Sequence, residues 1–255
     1  MSLQIASINS GSNGNCYYIG NDRDAVLIDA GISCRETERR MARMGLEIER
    51  VKAIFISHEH TDHTRGVEVL SKKYQVPVFI TQATHENSYL RIFPHLLNRF
   101  KAHEPVSVGE LTVKAFPKRH DAMDPHSFVV SGGGLTVGVM TDIGSACEHV
   151  TRYFKLCDAA FLEANYDELM LETGNYPVHL KRRIKGENGH LSNRQALQIF
   201  LSFKSPKISH LLLSHLSQNN NRPEIVYDLF KRNAGNVHVE VASRYQETGT
   251  FLVSG

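Results

Sequence analysis

Six consecutive residues, His58-Glu59-His60-Thr61-Asp62-His63, place three imidazoles and an aspartate directly after the apolar run Ala53-Ile54-Phe55-Ile56-Ser57. Imidazole and carboxylate are the common ligands of catalytic divalent metals, and such a concentration at the end of a buried strand is poorly explained as an ordinary solvated loop. In extended chain His58 and His60 project to the same side and can grip one ion. Asp62 and His63 are adjacent and diverge, which suits a second ion a few ångströms away, as in two-metal hydrolytic sites. Fourteen histidines occur in the chain, so the placement of the others decides which of them could complete such a site.

A metal-binding loop needs a rigid frame, and the surrounding sequence supplies one. Apolar runs at Leu3 to Ile8, Tyr17 to Ile19, Val26 to Ile28 and Val51 to Ile56 read as strands. Ser33-x-x-Glu36 starts a helix toward Met44 that Gly45 ends, and Val67, Leu70 and Tyr74 fall on one face of another. Farther on, the pattern predicts a strand at Pro77 to Ile80, a helix over Glu86 to Ile92 and a strand at Leu111 to Phe116. A hairpin turning at Gly132 to Gly134 leads into the strand Leu135 to Met140. Then come a strand at Ala159 to Leu162, a helix capped by Ser192-x-x-Gln195, and a strand at Ile208 to Leu213 leading to His215. A helix from Pro223 to Lys231 and strands at Val237 to Val241 and Thr250 to Val253 close the chain.

With 255 residues, 41% hydrophobic and 22% charged, the chain has the makeup of an ordinary globular domain, and one domain spanning 1–255 is expected. No segment approaches the roughly 20 apolar residues that would span a bilayer, and Met1 to Ser10 lacks the pattern of a secretory signal, so a cytoplasmic protein is expected. Cys16, Cys34, Cys147 and Cys157 show no paired spacing and read as packing thiols. A net charge of +2 is too mild to announce a nucleic-acid partner.

At residues 58–63 the chain resembles the metallo-β-lactamase superfamily, whose H-x-H-x-D-H signature it matches without departure. The resemblance implies an α/β fold, a four-layer αββα sandwich, and it extends to later positions. His120 in Lys118-Arg119-His120-Asp121 looks like the third histidine of the first metal site, although His126 lies nearby. Asp142 in Met140-Thr141-Asp142 looks like the bridging carboxylate, although an aspartate there could also cap the turn at Ile143-Gly144. His215 looks like the last ligand of the second site, in preference to His210 near the start of the same strand. Asp29 in Ile28-Asp29-Ala30-Gly31 matches an early strand-end aspartate and is expected to orient the metal-binding loop through hydrogen bonds. The implied assignment is His58, His60 and His120 on one ion, Asp62, His63 and His215 on the other, and Asp142 between them. Two divalent cations held in this way make hydroxide available near neutral pH. Zinc is the default for such ligands, but iron and manganese also accept them.

Smaller features bear on the substrate. Gly189-His190-Leu191-Ser192-Asn193 resembles the extra histidine motif of the ribonuclease Z-like phosphodiesterase branch, which implies that His190 assists at the scissile phosphate. The plainer reading of that segment is a helix-capping loop. Lys181, Arg182, Arg183 and Lys185 precede it, and cations there would suit a phosphate-rich substrate, though such a run is also common on a solvated helix face. The interval from Asp121 to Thr141 has no room for a tRNA-binding arm, and the one from Asp142 to His215 none for a large inserted nuclease domain. The chain is similar instead to the compact YycJ (WalJ)-like group, through Ser10-Gly11-Ser12-Asn13-Gly14-Asn15-Cys16 and His120-Asp121-Ala122. That similarity implies a DNA-directed exonuclease: a dinuclear-metal phosphodiesterase with metal-activated hydroxide as nucleophile and Asp62 and His190 in catalytic roles. The alternatives are a hydrolase of thioesters or cyclic phosphodiesters, and a non-catalytic metal-binding regulator.

Overall fold

A computed structural model of the chain describes residues 2–255. Two seven-stranded sheets form its centre. The first comprises β1 (Ser2–Asn9), β2 (Cys16–Gly20), β3 (Ala25–Ile28), β4 (Val51–Phe55), β5 (Val78–Phe79) and β6 (Leu97–Asn98), with the last strand of the chain, β14 (Phe251–Ser254), on its edge beside β1. The second holds β7 (Pro105–Val108), β8 (Leu111–Pro117), β9 (His126–Gly132), β10 (Leu135–Met140), β11 (Ala159–Glu163), β12 (His210–Ser214) and β13 (His238–Val241) in sequence order. Each sheet is antiparallel at one side and parallel at the other: β3 to β6 run parallel in the first, β10 to β13 in the second.

Helices cover both outer faces. They are α1 (Cys34–Arg43), α2 (Thr61–Thr64), α3 (Val67–Tyr74), α4 (Gln82–Ser88), α5 (Glu148–Phe154), α6 (Glu168–Thr173), α7 (Val178–Lys185), α8 (Asn193–Phe203) and α9 (Pro223–Lys231). Met41 of α1 and Leu70 of α3 pack on the outer face of the first sheet, while α5, α8 and α9 place Val150, Phe200 and Phe230 on the second. Between the sheets lies a predominantly apolar layer, where Tyr17 meets Phe161 at 4.9 Å and Phe55 meets Phe128 at 5.8 Å between ring centroids. A fully buried aromatic contributes about 2–3 kcal/mol, so this layer fixes the docking of the sheets. The result is the expected α/β/β/α sandwich, and no helix among the described residues is long and apolar enough to cross a membrane.

Local chemistry explains most boundaries. Ser33 caps α1 by accepting from the Glu36 amide, while the Glu36 carboxylate turns to Arg39 and Arg40 instead of closing a capping box. Ser192 and Gln195 form the full box at α8. Gly133 and Gly134, at φ 58° and 82°, make the two-residue turn of the β9–β10 hairpin. The predicted helix over Glu86 to Ile92 lies earlier, at Gln82–Ser88: Thr81 caps it by accepting from the Thr84 amide, and Tyr89 ends it in the left-handed conformation.

Candidate metal centre

Parallel strands present their carboxyl ends at one edge of each sheet, and such ends are where ligands bind in open α/β sheets. Asp29 follows β3, the His58–His63 segment follows β4, His120 follows β8, Asp142 follows β10, Glu163 ends β11 and His215 follows β12. Asp29, Asp142 and His215 each adopt a left-handed backbone, with φ of 61°, 53° and 58°. That sharp turn directly after a strand is what these three positions share.

Where extended chain would make Asp62 and His63 diverge, α2 winds the segment into a helical turn and brings them to one place. Asp62 Oδ2 lies 3.6 Å from His63 Nε2 and 3.8 Å from His215 Nε2. His58, His60 and His120 gather into a neighbouring group, with His58 Nε2 3.0 Å from His60 Nδ1. Asp142 stands between the two: its Oδ2 is 3.2 Å from His63 Nε2 and its Oδ1 3.8 Å from His120 Nε2. All seven residues singled out as ligands in the sequence thus converge. His126 instead sits at 3% exposure against the Phe100 ring, and His210 packs with His238 and Phe251.

Backbone packing makes this arrangement possible. Asn15 N–H donates to the Asp62 carbonyl at 2.6 Å, and a Cβ on Gly31 would come within 1.6 Å of that same oxygen. Only glycine allows the β3 loop to lie so close beneath α2.

Four of the imidazoles are tied to the protein through Nδ1, and two of them, His120 and His215, have no partner at the other nitrogen. His63 Nδ1 donates to Asp29 Oδ2 at 2.7 Å, His58 Nδ1 to Ser57 Oγ at 2.9 Å, His120 Nδ1 to the Gly189 carbonyl at 3.2 Å, and His215 Nδ1 to Glu163 Oε1 at 3.0 Å. Ser57 Oγ in turn donates to Asp29 Oδ2, so Asp29 anchors the loop as expected. Among the described residues, His120 Nε2, His215 Nε2 and Asp142 Oδ2 are buried with no hydrogen-bond partner. Orphaned buried atoms of this kind are costly unless something occupies the space they face, and a lone pair on Nε2 with the proton on Nδ1 is the tautomer a metal requires.

The electrostatics agree. Burial pushes the Asp142 carboxyl up, yet His215 and His63 beside it outweigh this and hold it well below the usual range. Burial would lower His215, but Asp142, Asp62 and Glu163 raise it to about 10. His120, where burial dominates, falls to about 3. Asp29, Asp62, Asp142 and Glu163 form a buried or nearly buried cluster of carboxylates that calls for positive charge, and the residues therefore fit divalent cations.

Glu163 was not singled out in the sequence. It is fully buried and held down to about 2: burial opposes this, and His190 and His215 overcome it. Its Oε1 accepts from His190 Nδ1 at 2.8 Å as well as from His215, and its Oε2 accepts from the Ile143 and Leu191 amides. The one available signal was an acid closing the apolar run Ala159-Ala160-Phe161-Leu162, at the strand end where Asp142 and His215 stand in theirs. Asn15, whose side-chain amide reaches Asp62 Oδ2 at 3.3 Å and His63 Nε2 at 3.0 Å, was likewise not assigned a role. Lys118, whose place just before His120 suits a cation flanking the site for a phosphate-rich substrate, is instead buried and donates to the Thr141 carbonyl at 2.7 Å.

Above these residues opens a cavity of about 660 Å³. His190 lines it, 21% exposed at the side chain. Of the basic run on α7, Arg183 lines the cavity but pairs with Asp121 at 2.8 Å, while Lys181 donates to the Glu172 carbonyl and Lys185 pairs with the Glu172 carboxylate. Arg182 is exposed on the same helix. The run is thus largely a solvated, internally paired helix face.

Residues 24–216 match the family described as Beta-lactamase superfamily domain. The chain is 31% identical over 233 residues to Exodeoxyribonuclease YycJ of Bacillus anthracis, covering 88% of this chain and 86% of that protein. It is 29% identical over 223 residues to Exodeoxyribonuclease WalJ of Streptococcus pneumoniae, covering 86% and 83%. In structure it is similar to the metallo-beta-lactamase fold protein YhfI from Bacillus subtilis, with a TM-score of 0.77 at 15% identity over 99% of this chain and 100% of that one.

Proposed function

Since the chain belongs to the metallo-β-lactamase superfamily, as a YycJ-like member and a metal-dependent hydrolase, we propose that it is a two-metal phosphodiesterase that removes nucleotides from DNA ends. The observation that carries the metal part of this reading is the polarity of the imidazoles: His58, His63, His120 and His215 are held by the protein through Nδ1, and His120 and His215 leave Nε2 buried without a partner, beside the equally unpartnered Asp142 Oδ2. The exodeoxyribonuclease names of its relatives support DNA as the substrate.

His58, His60 and His120 would hold one cation, Asp62, His63 and His215 the other, and Asp142 would touch both. Zinc fits this nitrogen-rich set best. When bound, such cations make water nucleophilic at neutral pH and polarise the phosphoryl group. The protein's own residues do the rest. Asn15 steadies the Asp62 carboxylate and Asp29 the His63 ring. Glu163 fixes the His190 ring through Nδ1, which leaves Nε2 as the atom that can donate to the departing oxygen or to phosphate charge.

The test is to incubate metal-replete protein with end-labelled single- and double-stranded DNA and RNA, beside a generic phosphodiester and a thioester. Progressive shortening of DNA by the natural chain and none by Asp142→Ala is the expected result. Release of thiol with nucleic acids intact would overturn the substrate assignment, and retained turnover in Asp142→Ala would overturn the site.

A further inference from the structure

Several cations beside the metal centre are already neutralised: Arg183 pairs with Asp121, Arg119 with Glu187 and Lys185 with Glu172, while Lys118 is buried against the Thr141 carbonyl. Arg244 is different. It lies in the chain between β13 and β14, and among the described residues its guanidinium makes a single hydrogen bond, from Nη1 to the neutral Gln218 amide oxygen at 2.7 Å. Its Nε is buried with no hydrogen-bond partner. A buried, unmet donor on a charged group is costly unless an acceptor comes to it.

Arg244 lines a recess of about 190 Å³ that adjoins the metal cavity: Ser217, two residues beyond His215, lines both spaces. Ser10, also in the recess, accepts from the His215 amide at 2.7 Å through Oγ, and its own amide donates to the Ser243 carbonyl at 3.1 Å. The strand end that carries the metal-site histidine and the segment that carries Arg244 are thus fixed to one residue. Asn13 adds a second tie, its side-chain amide donating to the Arg244 carbonyl at 2.8 Å. The guanidinium lies against the same loop, where a Cβ on Gly11 would stand 3.1 Å from Arg244 Nη2, and the neighbouring Ser12 lines the metal cavity. No carboxylate is among the described residues lining the recess. A small pocket with one uncompensated positive charge, held at a fixed place beside the metal centre, suits a single anion, and a guanidinium matches phosphate with parallel N–H donors.

We infer that Arg244 binds a phosphate of the polynucleotide that flanks the scissile one, so that the substrate is held through two phosphates, one at the metal centre and one in this recess. The inference deepens the nuclease reading given above and rests on it. A contact of this kind positions the strand without reading its bases, and it steepens the fall of affinity with salt by about one counterion.

The experiment uses metal-replete protein and the p-nitrophenyl esters of thymidine 3′-phosphate and thymidine 5′-phosphate, each with the remaining sugar hydroxyl free or phosphorylated. Release of p-nitrophenolate is followed, in parallel with cleavage of DNA. In at least one of the two series the second phosphate should raise kcat/KM of the natural protein on the order of tenfold or more. Arg244→Ala should abolish that gain, and Arg244→Lys should keep part of it, since the charge remains but the paired donors do not. A natural protein indifferent to the second phosphate in both series would overturn the inference. So would Arg244→Ala losing activity equally with and without that phosphate, the mark of a merely structural role. An Arg244-dependent gain with DNA left intact would overturn the nuclease reading and leave the phosphate site standing; DNA cleaved equally well by the natural and Arg244→Ala proteins would do the reverse.

Discussion

Glu163→Gln changes almost no volume and separates the positioning of the centre from its ligands. The carboxylate accepts four hydrogen bonds, at 2.8 Å from His190 Nδ1, 3.0 Å from His215 Nδ1, 2.7 Å from the Ile143 amide and 3.2 Å from the Leu191 amide. A glutamine has a single acceptor oxygen. The two backbone amides cannot reverse, so that oxygen stays with them and the new NH₂ group faces both imidazoles. Each ring must then turn a lone pair to Nδ1 and carry its proton on Nε2, the atom through which His215 would bind metal. Undoing one charge-assisted hydrogen bond of this kind costs about 1.5–3 kcal/mol, which matches the tenfold to hundredfold loss seen when groups that orient metal-binding histidines are replaced. Zinc affinity measured by competition with a chromogenic chelator should fall by that factor. Hydrolysis of a generic phosphodiester at saturating metal should fall as well, because His190 loses the carboxylate that accepts its Nδ1 proton. Thermal denaturation of the metal-free proteins controls for folding. Natural zinc affinity together with natural turnover in Glu163→Gln would refute the reasoning.

Gly31→Ala places a methyl 1.6 Å from the Asp62 carbonyl; it should cost more than about 3 kcal/mol or expel the loop, read as a lowered Tm and a metal content below two ions by elemental analysis. Arg40, 7% exposed, donates to Glu36, the Ile8 carbonyl, Asn9 Oδ1 and the Tyr245 carbonyl, so Arg40→Ala should lose about 3 kcal/mol in urea denaturation. Glu36 is lowered by its bonds to Arg39 and Arg40, and Glu247 by its bond to Arg43. A depressed folded-state pKa means stability fully present above the ordinary carboxyl value of 4.5 and lost as pH falls below it through the lowered folded-state value; the fall in Tm from pH 5 to pH 3 should therefore be shallower in Glu36→Gln/Glu247→Gln.

Much of the site was legible because its ligands are tied to local signals. The His58–His63 segment declares itself by composition, and His120, Asp142 and His215 each follow a recognisable apolar run. What apolar pattern could not reveal was decided partly by distant partners and partly by local turns and caps. Glu163 is an unremarked acid until the parallel pairing of β11 with β10 and β12 sets it beside Asp142 and His215. Asp62 and His63 diverge if the loop is read as extended, and α2 makes them converge. The helix expected at Glu86 to Ile92 is displaced because Thr81 and Tyr89 set its ends, and apolar periodicity records neither. The cations of α7 suggested a phosphate track, but Glu172 and Asp121 lie near them only in the folded chain.

Left-handed backbone at Asp142 and His215 sets durability against chemistry at two fixed places. Each such residue costs of order 1–3 kcal/mol that a glycine would recover. A library of this chain screened for heat resistance alone, without metal, should therefore drift toward glycine at 142 and 215, yielding hardier proteins with no reactive centre; Asp29, left-handed as well, should persist, because its carboxylate holds Ser57 and His63. Under selection for catalysis, 142 and 215 should resist every such improvement.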